Sequence, residues 1–284
     1  MGVDPYFLLF ELLMYGLLAL SLYDARKQGW RVVWQVLAGV AFGVLLEWAT
    51  IQQLHAYQYG QFLIMIAGEA PLAIGVGWSV IIYAARCYAD ATSLPRWAKP
   101  LLAALLALNI DLAMDAIAIR LGMWDWGQGL DFQYFGVPWA NFWAWFWVVT
   151  FFSAGLWWLA DGKSAVSRWL GPVGAILLGV AGVLATNYFI VYVAPRRWYE
   201  AVIALVLLGA LGWVLRLRPR VITHPLPSIS KWTPFTFHAF FLAAGVASGV
   251  IFHPPALLAV SLLMFGIAWL LHRPALNAPA SNRE

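Results

Sequence analysis

Charge is what this chain has least of. Only 11% of its 284 residues are charged and 63% are hydrophobic, and the mean hydropathy is +0.77. A water-soluble domain of this length cannot cover itself with so few charges, so the chain reads as a polytopic membrane protein. The single cysteine, Cys87, leaves no intramolecular disulfide to form. The five histidines (His55, His224, His238, His253, His272) never fall at i,i+4 or in an HExxH box, which argues against a histidine-ligated di-iron or zinc centre, and no metal is expected. The alternating ten-residue segments of an outer-membrane barrel are missing. So are internal repeats and basic nucleic-acid modules; nucleic acid is not an expected partner.

What is present are apolar runs long enough to cross a hydrocarbon core. They predict an all-α transmembrane bundle of nine helices, eight being the alternative count, over about 5–22, 31–52, 62–85, 99–121, 137–160, 169–193, 199–215, 234–252 and 255–272. Residues 1–273 then form one domain and 274–284 a short disordered tail. With nine crossings, one side holds Arg26, Lys27, Arg31, Arg86, Arg96, Lys99, Lys163, Arg168, Arg216, Arg218, Arg220, Lys231, Arg273 and Arg283, and the other only Arg120, Arg196 and Arg197. That asymmetry accounts for the pI near 9.3. It predicts an outward N-terminus and a cytoplasmic C-terminus, in a bacterial inner membrane. The first apolar stretch lacks a basic n-region and a small-residue cleavage site, so no cleavable signal is expected.

The informative residues are acids inside the runs, because an unpaired charge at depth is costly and such groups mark sites. Glu11, Glu47 and Glu69 fall in the first three predicted helices and Asp111 and Asp115 in the fourth, with no lysine or arginine deep in any helix to pair them. Asp111 and Asp115, at i,i+4, share one helix face and tend to share one proton. Counted at about 1.5 Å per residue, Glu11, Glu47, Glu69 and Asp115 lie some 8–10 Å below the outer boundary, with Asn141 and Asn187 near the same level. For one acid alone, Glu11 above all, capping a neighbouring element is a sufficient explanation; several at one height suggest a shared cavity.

A second signal is the stretch from Gly122 to Trp147, which holds six of the 18 tryptophans (Trp124, Trp126, Trp139, Trp143, Trp145 and Trp147). An interfacial aromatic belt explains part of it. The other reading is an aromatic pocket for a long apolar polyene, its faces attracting a cation formed there.

Three stretches in order carry a resemblance. Glu47 is followed by Tyr57-Gln-Tyr59; Glu69-Ala-Pro71 by Trp78; and Asp111-x3-Asp115 by Gly122-Met-Trp124-Asp-Trp126 and Phe135-Gly-Val-Pro138-Trp-Ala-Asn141. Over about residues 40–150 the chain resembles the integral-membrane carotenoid hydratases of the CruF type. It departs from them where Thr50, Gln53 and His55 replace expected glycines. The resemblance implies addition of water to the terminal double bond of an acyclic carotenoid, without a cofactor, by a protein whose partners are a hydrophobic polyene or isoprenoid and the bilayer.

Such a reaction needs a proton donor, a site for a tertiary carbocation and a base for the attacking water. Asp115 is the expected acid with Asp111 supporting it, and Glu47 or Glu69 the expected base, although acid and base are not distinguished by sequence. Tyr57, Tyr59, Trp124, Trp126 and Trp143 would line the cation site, and Asn141 and Asn187 would place water or bond the acids. A membrane isoprenoid cyclase begun by the same protonation is the alternative. A proton-coupled transporter fits less well, since matching interrupted helices are absent. The oligomeric state is not indicated.

Overall fold

The computed structural model describes residues 4–162, 164–223 and 226–276; Lys163, His224, Pro225 and residues 277–284, most of the expected tail, lie outside the described residues. Nine helices run α1 (Pro5–Gln28), α2 (Trp30–Leu54), α3 (Leu72–Asp90), α4 (Lys99–Arg120), α5 (Trp139–Gly155), α6 (Ala165–Tyr188), α7 (Tyr199–Arg216), α8 (Ser228–Ser248) and α9 (Ala256–Leu276). Single π-helical turns extend α5 through Ala160 and α6 through Val193. The ends follow local chemistry. Asp4 accepts the Tyr6 N–H at 2.8 Å and Pro5 opens α1, and Ser164 caps α6. Gly29, at φ 114°, separates α1 from α2, a backbone state that a Cβ would oppose.

Eight of the nine helices are long and apolar enough to cross a bilayer; α8 falls short. Its ends nevertheless lie at opposite ends of the bundle. Before α8, the Arg220 carbonyl accepts the Ser93 N–H at 2.9 Å from the α3–α4 connection; after it, Arg120 Nε, at the far end of α4, donates to the His253 carbonyl at 3.2 Å. α8 packs on α1, α3, α4 and α9, so its serines, threonines and His238 are turned mostly to protein. The chain is therefore a polytopic helical bundle, with nine helices among the described residues, and an integral membrane protein.

Connections 55–71, 121–138, 194–198 and 249–255 lie at one end, and those around residues 29, 91–98, 161–162 and 217–223 at the other. At the first end, β1 (Gln58–Tyr59) pairs with β4 (Trp124–Asp125), Tyr59 opposite Trp124. At the second, Arg31 meets Asp161 at 2.8 Å. The described basic residues divide between these ends as expected, leaving Arg120, Arg196 and Arg197 at the first. Arg120 is a staple there: its guanidinium also donates to the carbonyls of Ala116, Phe135 and Leu130 at 2.9, 2.7 and 3.2 Å.

Two expectations are corrected. The third helix starts at Leu72, not near residue 62, because 62–71 forms a small hairpin in which β2 (Met65–Ile66) pairs with β3 (Ala70–Pro71). Arg86 is not in a loop: it lies in α3, buried, with Nη1 donating to Gln35 at 3.1 Å and its guanidinium 4.8 Å from the centre of the Trp157 ring. An arginine can sit there because one turn further the helix reaches the polar end of the bundle.

α2 and α3 approach closely. A Cβ on Gly43 would lie 2.5 Å from the Gly75 carbonyl oxygen and 2.9 Å from the Trp78 Cβ, and the Ser79 hydroxyl donates to the Val36 carbonyl at 2.7 Å. This contact sets Glu47 of α2 beside Trp78 of α3.

Candidate active site

His55 ends α2 in a left-handed conformation (φ 46°), where glycine is usual, and turns the chain back over the helix end. Tyr57 and Tyr59 thereby reach Glu47: both phenol O–H groups donate to Glu47 Oε2 at 2.7 Å. Trp78 Nε1 donates to Oε1 at 2.6 Å. All three hydrogen bonds bring donors to one buried carboxyl, an arrangement that suits a carboxylate. Burial, and then the neighbouring Glu47 carboxyl, hold both phenols well above their usual range, so they remain protonated donors.

Across the cavity, Asp111 and Asp115 project from one face of α4 and are 0% and 2% exposed. α5 supplies the group that joins them. Pro138 precedes its first turn, the Gln133 side chain accepts the Trp139 N–H at 2.6 Å, and Asn141 is thereby aimed inward. Its Nδ2 donates to Asp111 Oδ2 at 3.0 Å and to Asp115 Oδ2 at 2.7 Å. Asp111 Oδ1 is buried without a partner.

Glu47, Asp115, Asn141 and Asn187 border one cavity of about 190 Å³. Its walls include Tyr57, Tyr59, Trp78, Trp124, Trp126 and Trp145, with Phe10 and Phe237 of α1 and α8. Counted from the helix ends, Glu47, Trp78, Asp115 and Trp145 all lie about 8–10 Å into the bundle. Asn187 is 2% exposed, and its amide nitrogen has no partner. The cavity meets an open vestibule of about 1010 Å³ under the connecting segments, the two sharing Tyr57, Trp126, Pro138 and Val191.

The structure thus brings together Asp115, Glu47, Tyr57, Tyr59, Trp124, Trp126, Asn141 and Asn187, with Asp111 one turn deeper. Two expected members lie elsewhere. Glu69 sits in the 62–71 hairpin, exposed, accepting from Gln52 Nε2 at 2.8 Å; the helix that would have buried it begins three residues later. Trp143 faces the opposite way, donating to the Thr186 carbonyl at 3.1 Å and packing with Ile190, Ala194 and Ile203. Glu11, fully buried, accepts the N–H groups of Leu63 and Ile64 at 2.7 and 3.3 Å and so holds the hairpin rather than facing the cavity. Trp78 entered the sequence reading only within the family motif and Trp145 only among the tryptophans of the aromatic stretch; neither was expected at the cation site. Trp78 had a visible signal as a lone tryptophan in an otherwise small and aliphatic helix; Trp145 had none, being one of several in α5. Among the described residues no three His, Cys, Asp or Glu side chains gather as metal ligands.

Comparison with known proteins agrees with this picture at the level of the family. No curated protein and no solved structure matches the chain. The family model described as carotenoid biosynthesis protein matches residues 6–211, more than two-thirds of the sequence. That span runs from α1 into α7 and includes Glu47, Asp111 and Asp115, the joining Asn141 and the aromatic walls other than Phe237. The chain therefore belongs to the carotenoid biosynthesis protein family.

Proposed function

We propose that the protein is a cofactor-independent hydratase that adds water across a terminal double bond of a long acyclic polyene. The observation that carries this reading is the pair of unlike carboxyl environments on one cavity. Three donors converge on Glu47, whereas Asp115 shares the Asn141 amide with a second carboxyl and otherwise meets only the Trp124 indole. Pairs of titratable groups in contrasting surroundings divide acid from base roles. Asp111 and Asp115 hold one proton between them, and Glu47 is the anionic partner.

The reaction then balances without a co-reactant other than water. The Asp115 O–H proton goes to the terminal alkene, whose π electrons form the new C–H bond and leave a tertiary carbocation. A water oxygen bonds to that carbon, and the water's proton passes to Glu47. Return of the proton from Glu47 to Asp115 through solvent restores the site. The unpartnered amide of Asn187 is suited to hold the attacking water, since Asn141 is already committed to the acids. The polar vestibule gives that water a way in.

Cavity size supports an end-on mode. A void of about 150 Å³ takes up a molecule the size of benzene, so about 190 Å³ accommodates one branched end of a polyene while the remainder stays outside. The test is conversion of an acyclic polyene by the purified protein in deuterium oxide. A hydratase gives a product heavier by one water, with deuterium on the carbon next to the new hydroxyl. An isomer of unchanged skeleton mass identifies a cyclase instead, and recovery of unlabelled starting polyene overturns both.

A further inference from the structure

Among the aromatic groups around the cavity, Trp78 alone combines three properties. It lies in the plane of the acids rather than at the mouth, about 9 Å along α3 from its outer end. Its indole N–H is committed to a carboxyl oxygen at 2.6 Å. Its ring is packed against Trp145, with centroids 4.3 Å apart and planes at 48°, and both side chains border the cavity. Trp124 and Trp126, by contrast, come from the connection above: Trp124, held in the β1–β4 pairing, turns its indole toward Asp115 and has Tyr59 rather than a second indole beside it, and Trp126 lies against Tyr57 at 4.8 Å.

An indole is the best aromatic partner for a cation. A carboxylate accepting its N–H polarises the ring, and in a low-dielectric interior such polarisation is strengthened. We infer that Trp78, polarised through Glu47 and backed by Trp145, is the catalytic residue that stabilises the carbocation. Glu47 then acts twice, directly on water and indirectly through the ring it makes more electron-rich. The carbocation is thereby held at the height where Asp115 delivers its proton, within reach of the water that quenches it. This inference rests on the hydratase reading, because it presupposes a cation in the cavity.

The two can be separated by binding, without turnover. The probes are a prenyl chain ending in a trimethylammonium group and the same chain ending in tert-butyl, which match in shape and differ in charge. Calorimetric titration of the full chain in detergent gives the ratio of their dissociation constants. In the wild type the cation should bind about tenfold more tightly or better. Trp78→Leu should lower that ratio by about tenfold and Trp78→Phe by an intermediate factor, while Trp143→Leu, which faces away from the cavity, leaves it unchanged. A wild type that does not prefer the cation overturns the carbocation reading itself. A wild-type preference that persists in Trp78→Leu overturns only the role of Trp78. If Trp78→Leu binds neither probe, Trp78→Phe decides: it keeps an aromatic side chain but has no N–H for Glu47, and a ratio equal to the wild type's overturns the inference.

Discussion

Replacing Glu47 by glutamine exchanges one oxygen for an amide nitrogen at the point where three donors meet. In the native site Oε2 receives two phenol hydrogens at 2.7 Å and Oε1 the Trp78 indole hydrogen at 2.6 Å. Hydrogen bonds to a charged group contribute about 1.5–3 kcal/mol and neutral ones about 0.5–1.5 kcal/mol. Weakening three such bonds thus costs about 3 kcal/mol. Against this, an uncharged amide avoids the penalty of burying a carboxylate, itself several kcal/mol. The phenol O–H groups can also rotate to accept from the new amide. The two contributions offset, so Glu47→Gln should fold and melt within a few degrees of the wild type. Catalysis has no such compensation, because an amide cannot take a proton from water, and general-base groups supply about 10²–10⁴ in rate. The expected outcome is a loss of at least about two orders of magnitude in hydrated product, measured by mass spectrometry on purified protein whose melting curve is recorded in the same preparation. Activity within a few-fold of the wild type, in a variant that melts normally, would refute the assignment of Glu47 as base.

Glu69→Gln should keep activity within about threefold of the wild type, since its one side-chain bond is to exposed Gln52 and surface polar pairs contribute little; a hundredfold loss would return Glu69 to the mechanism. Gly43→Ala should destabilise the protein by about 1–3 kcal/mol and reduce turnover, because its methyl group would strike Gly75 and the Trp78 Cβ; an unchanged denaturation midpoint would show that α2 and α3 are less tightly joined than described. A cysteine placed at Gln128 in a Cys87→Ser background should react with an impermeant maleimide in intact cells, and a reporter fused after Glu284 should be cytoplasmic. Labelling only after permeabilisation would reverse the orientation.

The helices were legible because each is a long apolar run and composition is a sufficient signal for spanning. Glu47, Asp111 and Asp115 were legible for the converse reason, as rare acids in such runs. The start of α3 was not. Residues 62–66, Phe-Leu-Ile-Met-Ile, are as apolar as a helix, and what keeps them extended is the Glu11 carboxyl from α1, a contact distant in sequence. Trp143 and Trp145 could not be told apart either. α5 is apolar on every side, so periodicity says nothing about which face meets the cavity, and only packing against α6 and α7 turns Trp143 outward. Trp78 stood out as a residue, but its bond to Glu47 depends on the close approach of two helices at Gly43 and Gly75.

The composition of α8 bears on how the protein is made. Its serines, threonines, Lys231 and His238 leave it short of the hydropathy that carries the other eight helices into lipid. Left alone at the translocon it gains little by partitioning. α9 follows after a short connection and is strongly apolar, long enough in its own right to cross a bilayer. The two are suited to enter as a helical hairpin, with α1, α3 and α4 already in place to receive the polar face of α8. Closure of the cavity wall by Phe237 is then among the last events of biogenesis, and a ribosome that stops after α7 releases a protein with all of its proposed catalytic groups and an open side.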